Sequence, residues 1–197
     1  MNIARPTSLL VAVVFFRLAW PSKTTAQQPP RFYRVDNRWS IGCAIGASAN
    51  GDYNSGHGSL DVSATVEAPV APEWSVRVDA GRAGWTFDRA SGKPAPPERV
   101  GLRRLTFGGV RVAQPTHPIR MYAGGGVGMY DYDLQAAPQR LRRFGLYGAT
   151  GIDVERNPHL VLGTELQVHW IEGPHVAPVN SYALWVAGLM ATVRARF

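Results

Sequence analysis

The chain has 197 residues, 45% of them hydrophobic and only 18% charged. It is too apolar for a disordered chain and lacks the Gly-X-Y period of collagen. One cysteine excludes an intramolecular disulfide framework and a cysteine-built zinc site.

The formal charge is +7, nearly all of it arginine, with Lys23 and Lys93 the only lysines. Residues 1–26 read as a secretory signal peptide: Arg5 supplies a positive start, Leu9 to Phe16 a short apolar run, and Thr24-Thr25-Ala26 a small-residue cleavage site. The apolar run is too short to span a hydrocarbon core about 30 Å thick. Cleavage after Ala26 leaves 18 basic and 14 acidic residues, a net +4 scattered along the chain. That pattern argues against a nucleic-acid partner. Residues 27–38 are expected to be a flexible lead, and 39–197 one domain.

From residue 39 onward the pattern has period two rather than 3.6. Trp39, Ile41, Cys43, Ile45 and Ala47 share one face. Leu60, Val62, Ala64 and Val66 alternate with Asp61, Ser63, Thr65 and Glu67. The third segment, about 73–87, runs Trp74, Val76, Val78, Ala80 and then Ala83, Trp85, Phe87. That change of parity near Gly81-Arg82 predicts a β-bulge. The fourth, 99–113, also changes phase, between Leu105/Phe107 and Val110/Val112, and its faces stay open. The fifth, 118–130, is glycine-rich. The sixth sets Phe144, Leu146, Ile152 and Val154 against Arg143, Tyr147 and Asp153. The seventh sets Leu160, Leu162, Leu166, Val168 and Trp170 against Glu165, Gln167 and His169, and the eighth covers 181–197. Three connections are short, at 69–72, 114–117 and 156–158. Four are longer, at 49–57, 86–98, 131–142 and 172–180. Tight turns at one end and long loops at the other predict an eight-stranded antiparallel up-and-down barrel.

Alternation alone leaves two barrels open. A soluble lipocalin-like binder has its apolar face inside, and a membrane barrel has it outside. Three features favour the membrane. The polar face is small residues mixed with charges of both signs, namely Asp61, Glu67, Arg77, Asp79, Arg120, Asp153 and Glu165 with His169, as suits a narrow lumen of paired charges. Large aromatics fall at segment ends. Trp39 and Trp74 form one belt, and Trp85, Tyr130, Phe144, Trp170 and Tyr182 a second. Last, Leu189, Ala191, Val193, Ala195 and Phe197 form an alternating apolar face that closes on a terminal Phe.

That ending is similar to the C-terminal signal of bacterial outer-membrane β-barrels. Residues 39–197 as a whole resemble the small OmpA/OmpX-like barrels, and Tyr122-Ala123-Gly124-Gly125-Gly126-Val127-Gly128-Met129-Tyr130 resembles their Gly-rich central strand. The resemblance implies an integral outer-membrane protein exported by its signal peptide. Its implied partners are outer-membrane lipid, lipopolysaccharide and the barrel-assembly machinery, without cofactor or metal. No peptidoglycan-binding domain is expected after Phe197, which speaks against an OmpA-type cell-wall tether.

The same resemblance raises lipid-A deacylases, whose late strand carries His, any residue, then Ser. Here His169 is followed by Ile171 in the serine position, so no nucleophile stands there. His57-Gly58-Ser59 is explained equally by a Gly-rich loop, and His117, His159 and His175 lack metal-ligand spacing. No P-loop, dinucleotide fingerprint or HExxH occurs. The expected function is therefore a non-enzymatic barrel with a filled interior. Arg140, Arg142 and Arg143 in a long loop are candidates for lipopolysaccharide phosphates. A minor solute pore, a lipid-A-modifying enzyme and a soluble periplasmic binder are the alternatives.

Overall fold

The computed structural model describes residues 38–50, 59–87, 98–113, 118–134, 137–173 and 183–197. Residues 1–37, which hold the expected signal peptide and most of the expected lead, and Tyr182 lie outside them. Eight strands follow in chain order: β1 (Ser40–Asn50), β2 (Ser59–Ala71), β3 (Trp74–Phe87), β4 (Glu98–Ala113), β5 (Ile119–Leu134), β6 (Ala137–Asn157), β7 (Leu160–Glu172) and β8 (Ala183–Arg196). Each pairs antiparallel with its neighbour, and β8 closes on β1.

The closure is staggered. Pairing traced from Ser40 through Glu67, Arg77, Gly108, Gly126, Tyr147, His169 and Val186 returns to Asn50, ten residues along β1. With strands about 4.8 Å apart and about 3.3 Å per residue, that stagger tilts the strands roughly 40° from the barrel axis. The short-turn end is laced by backbone hydrogen bonds: Phe197 N–H donates to Trp39 O (2.9 Å), Glu155 N–H to Pro118 O (2.8 Å) and Val112 N–H to Glu73 O (2.8 Å).

The apolar face lies outside. Ile41, Ile45, Leu60, Phe107, Val127, Leu146 and Leu189 are exposed, while Asp61, Arg77, Asp79, Arg104, Glu165 and Arg194 are buried in the lumen. This is the polarity of a membrane barrel and the reverse of a lipocalin. Trp39, Trp74 and Phe197 ring the short-turn end outside, and Phe144, Trp170 and Trp185 the other. Trp170 and Trp185 face each other across β7 and β8 with ring centroids 6.4 Å apart.

Three sequence expectations change. First, β3 has no bulge at Gly81-Arg82, because its pairing with β4 runs unbroken from Trp74 to Phe87. Ala83 and Trp85 therefore continue the inward face of Arg77 and Asp79 and are buried. Trp85 is not a belt residue. Second, Tyr130 is not one either. It shares the inward parity of Tyr122, and both it and Tyr132 are 0% exposed. Third, residues 131–142 are not a long loop. β5 runs to Leu134 and β6 starts at Ala137, with only residues 135 and 136 between them. In β4 the inward set is Val100, Leu102, Arg104, Thr106 and Val110, and Leu105 and Phe107 face out.

These changes share one cause. Toward the long-connection end of β3–β6 the alternation continues but its polarity inverts. Trp85, Val100, Leu102, Tyr130 and Tyr132 pack inside with Ile171, Leu184 and Val186, and Leu141 lies against them. Arg82, Arg99, Arg103, Asp133 and Arg142 face outward and are exposed. Above an apolar band about 25 Å tall the solvent is water, and the chain follows the rule of a soluble barrel.

Candidate functional site

Two regions carry chemistry: the lumen and the outward polar wall of β3–β6. Lumen polar groups come from alternate positions on all eight strands, and long side chains from β3–β8 fill the space left by small ones opposite. Space at Gly81 admits the Arg104 guanidinium, whose Cζ sits 2.7 Å from where a Cβ would stand, and Gly151 makes room in the same way for the Tyr122 ring (2.5 Å).

Near the short-turn end the network centres on Arg77. Its Nη1 donates to Glu165 Oε2 (2.5 Å) and its Nη2 to Glu67 Oε2 (2.9 Å). Arg194 Nη2 donates to Asp153 Oδ1 (2.5 Å) and to Tyr122 Oη (3.1 Å), and Arg194 Nη1 lies 3.4 Å from Glu67. Tyr122 donates its hydroxyl to Glu165 Oε2 (2.5 Å), and both guanidinium carbons stand 5.0 Å from its ring centre. Arg120 and Arg196 approach Glu155 at 3.8 and 3.1 Å. Each charge here has an opposite partner, which buried ions require.

Higher up, Arg104 Nη1 donates to Asp61 (2.8 Å), Arg104 Nη2 to Gln167 Oε1 (3.1 Å), and Thr65 Oγ1 to Asp79 (2.6 Å). This arrangement sets the state of His169. Gln167 Oε1 accepts from Arg104, so His169 Nε2 (3.2 Å away) carries a hydrogen, and His169 Nδ1 accepts the Tyr130 hydroxyl at 2.9 Å. The ring also stacks on Tyr147, with centroids 6.1 Å apart. Both nitrogens are thereby engaged, and Ile171, in the position where a serine would stand, belongs to the buried apolar cluster. Ser59 Oγ accepts Gly84 N–H (2.8 Å) and donates to Leu60 O (3.1 Å), while His57 lies outside the described residues. Asp61, Glu67, Arg77, Asp79, Arg120, Asp153, Glu165 and His169 all sit in the lumen. Sequence reasoning missed Arg104, which stood on the strand whose faces were open, although it lies two residues from Thr106 and Leu102 on one parity.

On the exterior, one row perpendicular to the strands joins Arg82, Arg103, Asp131 and Arg142 through direct pairing. Arg142 donates to both Asp131 oxygens, at 2.8 and 3.3 Å. Arg142 and Arg143 are thus strand residues, with Arg143 donating to Gly173 O (3.3 Å) and Arg142 O (3.0 Å). The side chain of Arg140 lies outside the described residues. Leu189, Ala191, Val193, Ala195 and Phe197 form the outward face of the last strand.

No family model matches the sequence, and no curated protein matches it. Solved structures match its fold. Neisserial surface protein A is similar over 81% of this chain and 96% of its own, at 15% identity and a TM-score of 0.59. OprG of Pseudomonas aeruginosa is similar over 82% and 96%, at 14% identity and 0.56. Ail of Yersinia pestis, solved with the heparin analogue sucrose octasulfate, is similar over 81% and 97%, at 13% identity and 0.51. The fold is that of the small eight-stranded outer-membrane barrels.

Proposed function

We propose that this chain is an integral outer-membrane barrel that neither conducts solutes nor catalyses a reaction, and that presents its long-connection end to lipopolysaccharide. The observation that carries this reading is the stacking of two occupied layers along the lumen. The Arg77–Glu165 and Arg104–Asp61 ion pairs lie in its lower and middle parts, and the Trp85–Tyr130–Tyr132 cluster lies beyond them toward the long-connection end, which supports a closed lumen. An eight-stranded barrel has an interior that side chains suffice to fill. The engagement of both His169 nitrogens and the Ile171 side chain beside it support the absence of acyl-transfer chemistry. Residues 1–26 serve as the export signal, residues 27–38 as the lead, and the face ending at Phe197 as the recognition element for the assembly machinery.

Membrane fractionation and planar-bilayer recording test this together. The expected result is a heat-modifiable outer-membrane protein starting at Gln27, silent in bilayers, whose overproduction leaves lipid-A mass unchanged. Discrete conductance steps would instead establish a pore.

A further inference from the structure

We propose that Arg82 and Arg103 form a two-pronged site for a phosphate group of lipid A in the outer leaflet. The two arginines stand directly opposite each other on β3 and β4, facing outward and exposed. Like charges directly opposed across a strand pair destabilise it unless an anion lies between them. The next residue of the row, Asp131, already holds Arg142 through both its oxygens. Counted along β3, Arg82 lies eight residues past Trp74, about 20 Å up the axis at the tilt given above. The pair therefore stands within about 5 Å of the upper edge of an apolar band about 25 Å tall, close to where lipid headgroups begin.

The surroundings fit an amphiphile. One outward step below, Ala80 faces Leu105, which gives an apolar surface for an acyl chain. One step above, Gly84 faces Gly101, so neither β3 nor β4 places a side chain over the pair, and the nearest one on that row is Asp133 of β5, beside Gly101. A Cβ at Gly84 would meet nothing nearer than Val100 O at 3.5 Å, so internal packing does not require glycine there. Two guanidinium groups give planar, charge-assisted donors suited to phosphate oxygens.

This site rests on the outer-membrane reading and gives the lipopolysaccharide contact a place. The test uses the folded barrel in zwitterionic micelles, titrated with bisphosphorylated lipid A, with dephosphorylated lipid A and with inorganic phosphate. The R82S/R103S variant should bind lipid A at least about tenfold more weakly than wild type, and R142S within about threefold of it. Wild type should bind dephosphorylated lipid A as weakly as the double variant binds lipid A, and excess inorganic phosphate should not displace the lipid. Without lipid A, R82S, which leaves Arg103 opposite Asp131, should unfold at a higher temperature than wild type because the repulsion is gone, and added lipid A should reverse that order. Equal binding by wild type and R82S/R103S overturns the site, as does an equal loss in R142S. Displacement by inorganic phosphate overturns its assignment to a lipid. If the wild-type protein shows no heat-modifiable form, the barrel reading itself fails, independently of the site.

Discussion

Arg77→Met removes the centre of the lower lumen network while keeping most of its volume. Glu67 and Glu165 both lose a partner, but unequally. Glu67 keeps Arg194 at 3.4 Å. Glu165 loses its ion-pair hydrogen bond and keeps the Tyr122 hydroxyl (2.5 Å) and the Gln167 amide (2.6 Å), both neutral donors, with Arg194 as the remaining nearby cation. Removing one member of a buried ion pair costs about 3–5 kcal/mol, and the retained donors place Arg77→Met near the lower limit, about 3 kcal/mol. Glu165→Gln alone should cost less, because Arg77 keeps Glu67 at 2.9 Å. The double variant should be less destabilised than the sum of the two by at least about 1 kcal/mol, as expected for directly contacting residues. Urea unfolding in detergent micelles, followed by tryptophan fluorescence and gel heat-modifiability, gives all four corners of the cycle. A cost below about 1 kcal/mol for Arg77→Met, or strict additivity, would refute the coupling argued here.

Two further outcomes test the exterior and the lumen separately. Val127→Arg, on the lipid-facing row with Phe107 and Leu146, should cost about 2–4 kcal/mol, whereas Glu172→Arg beyond the upper belt should cost about 0–1 kcal/mol in the same unfolding assay. Gly126→Val should abolish the heat-modifiable form, because its Cβ would overlap the Phe107 carbonyl oxygen. Gly148→Ala, whose Cβ meets nothing nearer than 3.9 Å, should refold with wild-type yield.

The eight strands and their outward faces were legible because a hydrocarbon exterior and a charged lumen set opposite demands on alternate residues. Reading failed where the outside solvent changes. Above the upper belt, Trp85 and Tyr130 are as aromatic as any belt residue, yet water outside turns them inward. In β3 the switch of apolar parity therefore looked like an inserted residue. The same inversion disguised 131–142 as a loop, since Asp131, Asp133 and Arg142 on an exterior face do not look like a membrane strand. Trp185 could have been found, because it shares the parity of Leu189 and Val193. Partnerships such as Arg77 with Glu165, 88 residues apart, follow from the ten-residue stagger of closure, which no local pattern encodes.

The polarity inversion along β3–β6 also bears on how the barrel reaches its final position. Entry from the side of the short turns carries Arg82, Arg103, Asp131 and Arg142 through the hydrocarbon layer with no lumen to shelter them. A bare cation at the midplane of a bilayer opposes insertion by about 2–4 kcal/mol. The described outward positions of β1, β2 and β8 carry no charge at all. The two flanks of one closed sheet thus present unequal charge to the hydrocarbon on the way in.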